Sequence, residues 1–435
     1  MFSFKQRLMV AIVLTGSAQG QPMFLSPSPI AAAPAAGTGN APITFTFSDQ
    51  GGWQNLSVVN ILINGALDGR HACYLAYSVG DSVLYLVNDP GDALLPAISL
   101  NGGDTTSNGQ CAVTAAGSSA RGTGNVLTLT LNLSFTATFA GNQLIYLAAG
   151  EKSSGSNSGW QPLGTRTVPG PTPSGPVVNG VIPPHSIGLH QNYTFTFTDP
   201  NGWLGLNVVS VLINNGLDAA HACYLAAVPT IQNGGIMILI DDPGNRGGPY
   251  FSMELPGRDT IANSQCSING SGTSLTQAGN TLTLTVDLTF KPSFSRNQVI
   301  YAAAHVQDQN LDSGWQPIGT IEVRDADMPA VATSSPFELN SGSGSTTIEV
   351  TGSNFRAAAI CPAVCGFPCP STSVVEFDLV DLETQFVSAN LLRAVVPASL
   401  LTASRVVPLA VKNPVLVQCQ GTQFHRSQPV PFVVR

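Results

Sequence analysis

Charge is what this chain has least of. Asp, Glu, Lys and Arg make up 10% of 435 residues, with 17 basic against 25 acidic side chains and a formal net charge of -8. No run of Lys and Arg breaks the pattern, so the counterion release that grips a phosphate backbone has nothing to act through, and a nucleic-acid partner is excluded. Histidine is scarce as well, at six residues. Neither a Gly-x-Ser-x-Gly elbow nor a His-Glu-x-x-His pair occurs, which leaves no motif for a serine hydrolase or a zinc protease. The expectation is a protein that is not an enzyme.

Long apolar runs are also missing. Leu8 to Leu14 is too short for the roughly 20 residues of a membrane span, and no later segment supplies one. It follows Lys5 and Arg7 and precedes Ala18-Gln19-Gly20, the layout of a cleaved secretory signal peptide over residues 1–20. The mature chain is then expected outside the cell or at its surface, without a membrane span. A sustained 3.6-residue apolar period is absent too, so helices should be minor.

What the chain does contain is a repeat. Thr44 to Ala76 recurs at Thr194 to Ala226 with about 20 identical positions, running Thr-Phe-Thr-Phe, Asp, Gly-Trp, Val-Val, Leu-Ile-Asn, Leu-Asp and His-Ala-Cys-Tyr-Leu-Ala in both copies. The organisation that follows is a first repeat over 21–169, a Pro-rich linker at 170–175, a second repeat over 176–325 and a last domain over 326–435. Prolines in the linker favour extended polyproline conformation, which predicts copies held apart in a semi-rigid orientation.

Within a copy, Leu127, Leu129, Leu131 and Leu133 alternate with Thr128, Thr130 and Asn132, a strand with one buried and one wet face. Leu282 to Phe290 repeats it, and Leu56 to Ile63 is apolar and β-branched. Turn clusters such as Asn88 to Asp92 and Asn101 to Asp104 separate the strands. About seven short strands per 130 residues predict an all-β chain of three tandem immunoglobulin-like β-sandwiches.

Eight cysteines in an exported chain should pair. Cys73 with Cys111 and Cys223 with Cys266 fall at equivalent positions of the two copies, and each bridge would stabilise its repeat by about 4 kcal/mol in the chain-entropy model. Cys361, Cys365, Cys369 and Cys419 crowd the last domain, where three pairings are open. Their spacing also admits a zinc or iron-sulfur site, but export favours two bridges.

Candidate ligand groups are few. Asp49 and Asp199 precede Gly-Trp, Asp89 and Asp92 accompany Asn88, and Asp241 and Asp242 accompany Asn245. These hard oxygens suit calcium, the one cofactor the chain offers, although each turn alone falls short of six to eight ligands and such residues are ordinary in tight turns. Asp68-x-x-His71 beside Cys73, repeated as Asp218-x-x-His221 beside Cys223, reads as structural, because a strand would send the two side chains to opposite faces. Trp53, Trp160, Trp203 and Trp315 form one equivalent pair per copy, either platforms for sugar rings or plugs of a sandwich core. Sequons at Asn55, Asn132, Asn192 and Asn269 read as incidental.

Residues 326–435 resemble the IPT/TIG domain, an immunoglobulin-like fold. The resemblance is carried by Ser335-Pro336, Gly342-Ser343-Gly344, Thr347 to Val350 running into Gly352-Ser353-Asn354-Phe355, Val374 to Phe377, Val395-Val396-Pro397 and closing strands at Val407 to Val411 and Val430 to Val434. The insert Ala357 to Ser373, with three cysteines, departs from that pattern. Both upstream copies are similar to immunoglobulin-like repeats of bacterial secreted and surface proteins, through Phe-Thr-Phe-x-Asp before Gly-Trp, Asn-x-Gln-Cys at 108–111 and Ser-Gly-Trp-Gln-Pro at 158–162 and 313–317. The resemblance implies a fold and a surface role but no chemistry. Adhesion or scaffolding through loops, toward a cell-surface protein or polysaccharide, is the expected function. A carbohydrate-binding protein is the alternative, and the non-catalytic part of an extracellular enzyme system a more distant one. The oligomeric state is left open.

Overall fold

The computed structural model describes residues 27–435 apart from 50, 154, 172, 232–233, 246, 307–311, 325–327, 358–371, 417–421 and 428–429. Two compact units divide it, one over residues 27–324 and one over 325–435.

In the first repeat, alternating Leu and Thr build a five-stranded sheet. Its order is Ser28–Ala33 (β1), Ala41–Ser48 (β3), Val126–Phe135 (β10), Cys111–Thr123 (β9) and Thr105–Ser107 (β8). Opposite it lies a seven-stranded sheet of Ala36–Thr38 (β2), Gln161–Val168 (β12), Gly141–Glu151 (β11), Leu56–Asn64 (β4), Cys73–Ser78 (β5), Val83–Leu86 (β6) and Ile98–Ser99 (β7), in that order. Phe45, Phe47, Leu129 and Leu131 from the first sheet meet Ile61, Leu75, Ile145 and Leu147 from the second in one core. The Cys73–Cys111 disulfide joins the sheets through it.

The second repeat matches strand for strand. Its five-stranded sheet runs Val177–Ile182 (β13), His190–Thr198 (β15), Thr281–Phe290 (β22), Cys266–Ala278 (β21) and Thr260–Ala262 (β20). The seven-stranded sheet runs His185–Ile187 (β14), Gln316–Val323 (β24), Arg296–Val306 (β23), Leu206–Asn214 (β16), Cys223–Pro229 (β17), Gly235–Ile240 (β18) and Tyr250–Leu255 (β19). Cys223 and Cys266 are bonded.

The copies are not held apart, as the prolines of the linker led us to expect. The outer faces of the two seven-stranded sheets pack together, because each carries a second set of apolar side chains pointing away from its own sandwich. The shared cluster contains Leu62, Ala72, Tyr74, Val87, Leu144 and Tyr146 with their counterparts Leu212, Ala222, Tyr224, Ile240, Val299 and Tyr301, all buried. The same positions contribute from both sides, the signature of an isologous, two-fold-like contact made within one chain. At its edge Asn297 donates to the Gln161 side chain at 3.0 Å.

The second unit is a smaller sandwich. One sheet runs Ala330–Ser335 (β25), Thr346–Ser353 (β27), Leu391–Val396 (β31) and Glu383–Ser388 (β30). The other runs Glu338–Leu339 (β26), Val430–Val434 (β34), Arg405–Leu416 (β32), Val374–Phe377 (β28) and Val380–Asp381 (β29), with Thr422–Arg426 (β33) also on β32. Ile348, Val350, Leu392 and Leu409 close around Phe377 and Phe432, whose rings meet edge-on at 5.2 Å. Asn354 takes a positive φ of 60° where the Gly-Ser-Asn-Phe element leaves β27, which delivers Phe355 to this core. Cys361, Cys365, Cys369 and Cys419 lie outside the described residues, as does residues 1–20, the expected signal peptide. No helix among the described residues is long and apolar enough to cross a membrane.

Candidate functional site

The acidic turns divide by what their carboxylates already hold. Asp89 accepts from the Gly109 backbone at 2.8 Å, and Asp242 accepts from the backbone and hydroxyl of Ser264 at 3.1 and 2.5 Å. Those Ser264 hydrogen bonds, the hydroxyl first, hold the Asp242 carboxyl below its ordinary pKa. Both residues therefore pin the loop that precedes the second cysteine of their repeat. Within that loop Asn108 donates to the carbonyls of Ala72 and Val87 and accepts from the backbones of Gln110 and Cys111. Asn263 makes the same four bonds in the second copy. Asp92 accepts from Asn88, and Asp241 sits apart with one oxygen unpaired. Among the described residues no three His, Cys, Asp or Glu side chains converge on a metal position.

Asp68 and Asp218 do not share a strand with the histidines that follow them. They cap the tight turn ahead of β5 and β17, where His71 and His221 take positive φ of 48° and 51°. Asp68 also pairs with Arg70 at 2.6 Å, and its carboxyl is lowered chiefly by that side-chain hydrogen bond.

The four tryptophans separate into three environments. Trp160 and Trp315 meet Tyr74 and Tyr224 edge-on, with ring centroids 5.6 and 5.8 Å apart, and pack against the cluster between the repeats. That pair, half-buried, packs on the cluster between the repeats rather than in the core of its own sandwich. Trp53 lies flat on β9, so close to Gly122 that a Cβ there would come within 2.1 Å of the indole, and it packs on the first core. In the second repeat Gln277 stands where Gly122 does and denies Trp203 that seat. Trp203 instead lines a cavity of about 290 Å³ with Asp199, Leu204, Gly205, Ile231 and Val306.

Comparing the copies position by position explains why the cavity exists in one of them. After Asp49 the chain turns through Gly52 at φ 96° into Trp53-Gln54-Asn55. The Asn55 amide then donates to Asp49 at 2.9 Å and to Glu151 at 2.7 Å. In the second repeat the turn is kept, with Gly202 at φ 100°, but Asn55 has become Gly205 and Glu151 has become Val306. Asp199 remains, 2% exposed, and among the described residues its carboxylate receives a donor from the Asn201 backbone alone, at 2.7 Å. The structure thus brings together one expected calcium ligand, Asp199, and one expected stacking residue, Trp203. Sequence reasoning passed over Gly205, whose signal was its substitution for Asn55 inside an otherwise repeated segment.

No protein-family model and no curated protein matches the chain. Among solved structures it is similar to a marsupial T cell receptor, at 10% identity over 92% of this chain and 99% of that chain, with a TM-score of 0.19. At that score the fold is argued from the sheets themselves: two-layered, antiparallel in the main, bridged between layers in each repeat, and immunoglobulin-like. Such a sandwich presents its connecting loops at either end and hosts many unrelated functions.

Proposed function

We propose that this is a secreted or surface-displayed, non-enzymatic protein that binds a cell-surface protein partner through loops, as an adhesin or scaffold. The observation that carries the reading is the fusion of the two repeats face to face. A buried apolar interface fixes the two sets of loops at one separation, which is what a bridging or adhesive body requires and what a tethered pair of free modules lacks. The layout around Lys5, Leu8 to Leu14 and Ala18 supports export, and the two disulfides suit an oxidising compartment. The last domain is of IPT/TIG type on this reading.

Carbohydrate binding is the second reading, favoured by Trp203 at the edge of a cavity that holds a buried carboxylate. The two separate in one experiment. Mature chain, residues 21–435, is applied to whole cells and matrix protein with and without competing sugars, and in parallel to a glycan array with calcium or chelator. Adhesion through protein predicts cell retention that survives sugar competition. Saturable, sugar-competed binding would replace it with the second reading, and turnover of any array component would remove both.

A further inference from the structure

The cavity of the second repeat has a chemistry that its counterpart in the first repeat defines. There the space beneath the turn is filled by the Asn55 carboxamide, sandwiched between the Asp49 and Glu151 carboxylates. In the second repeat the carboxamide is gone from the chain, one carboxylate is replaced by Val306, and the other is retained and buried. The retained carboxylate, at 2% exposure, accepts from the Asn201 backbone and keeps acceptor capacity for a further donor. The rim changes in a matching way. Leu204, 69% exposed, stands where the first repeat has the polar Gln54, and Ile231 beside it is 83% exposed. Trp203, turned off its strand by Gln277, supplies a flat wall. A cavity of about 290 Å³ lies at the lower end of the range of small-molecule sites.

We propose that this cavity is a recognition site for a carboxamide or acetamido group, whose N–H donates to Asp199 in the place of the missing Asn55 amide, while the body that carries it packs on Trp203, Leu204 and Ile231. Two sources present that chemistry, an asparagine side chain of a polypeptide and the acetamido group of an amino sugar. The inference goes beyond the adhesive reading and stands or falls separately from it, because the probes are small molecules and no cell or matrix is involved.

The test is saturation-transfer NMR on the mature chain with N-acetylglucosamine, glucose, and free asparagine, which has the carboxamide but no acetamido group, as probes. Transfer to the acetamido or carboxamide probe, and none to glucose, is expected; which of the two probes responds identifies the source. Gly205→Asn returns the amide of the first repeat to the site and should abolish transfer. The Cβ it adds meets the Asp199 carboxylate at 3.2 Å, a contact the first repeat accommodates with the same residue, so thermal unfolding of the variant is recorded alongside. Leu204→Gln, at an exposed position, keeps the fold and should weaken binding by about tenfold, the worth of one apolar contact surface. Absence of transfer to both N–H probes, equal transfer to glucose, or undiminished transfer in both variants would overturn the proposal.

Discussion

Tyr146 and Tyr301, its own counterpart in the other repeat, bring their hydroxyls toward one another inside the apolar contact between the two sheets. Each is about 4% exposed. Removing one hydroxyl strands the other, whereas removing both leaves a purely apolar surface. Tyr146→Phe and Tyr301→Phe should therefore each cost about 1–3 kcal/mol, and the double variant less than the two together. Urea unfolding of the four proteins checks this; strict additivity would mean the hydroxyls do not meet.

The same contact predicts the behaviour of a repeat on its own. A first repeat expressed as residues 27–169 exposes Leu62, Tyr74, Leu144 and Tyr146 together, and an isologous face is complementary to itself. It should sediment as a dimer, and Leu144→Glu should return it to a monomer. A soluble monomer without that substitution would contradict the prediction.

Alkaline pH should loosen this interface. Burial pushes the Tyr74 phenol up to about 12, and Tyr146 and Tyr301 shift in the same direction for the same first cause. Below pH about 10 the phenol is neutral folded or unfolded, so its contribution is complete. Above that the unfolded chain ionises first, and stability falls until the folded phenol ionises too, by about 3 kcal/mol for two units at Tyr74. Urea midpoints measured from about pH 9 to about pH 12 should drop, and Tyr74→Phe should flatten the curve.

Arg166 is 2% exposed and spans from the Gly39 carbonyl, 2.7 Å from Nε, to an Nη2 with no partner. Burial lowers its pKa. Gly37 leaves it room, since a Cβ there would fall 2.2 Å from Nη1. The second repeat solves the same space without charge: Ile321 replaces Arg166, and the Ser186 hydroxyl pairs with the Tyr193 hydroxyl at 2.6 Å where the first has Gly37 and Ile43. Transplanting that solution as Gly37→Ser, Ile43→Tyr, Arg166→Ile should stabilise the protein by about 1–4 kcal/mol, read from denaturant midpoints. Arg166→Ile alone should gain less, because it leaves a void.

Asn108 ties four backbone groups, those of Ala72, Val87, Gln110 and Cys111, beside the disulfide. Asn108→Ala should cost about 2 kcal/mol or more, since the carbonyls of Ala72 and Val87 lose their donors. Asn108→Asp keeps the two accepted bonds and should fall between; if both variants match wild type in thermal unfolding, the tie is dispensable.

The sandwich was legible because Leu127 to Leu133 and Thr44 to Phe47 write a period of two directly into the chain, and the repeat placed its cysteines in pairs. The packing of one repeat on the other was harder to read. Its trace is the continuity of Leu144-Ile145-Tyr146-Leu147 and Ile61 to Ile63, apolar on both faces, which a strand with one wet face would not tolerate. Proline in the linker pointed the other way, yet stiffness over a few residues does not oppose contact when the sheets beyond it are apolar. The cavity was legible only as a difference. Asp199 and Trp203 look like Asp49 and Trp53 in sequence, and what separates them is carried by three exchanges, Asn55 to Gly205, Glu151 to Val306 and Gly122 to Gln277, scattered along the chain and gathered by the fold.

Joining two such halves in one polypeptide releases them from identity. In a dimer of separate, identical subunits, any change that opens the turn beside Asp199 opens it twice, and any change that buries a guanidinium like Arg166 buries two. Here one half keeps its turn plugged by Asn55 while the other opens, and one half packs Arg166 where the other packs Tyr193. The shared face holds both in register, so asymmetry accumulates at the periphery without disturbing the seam.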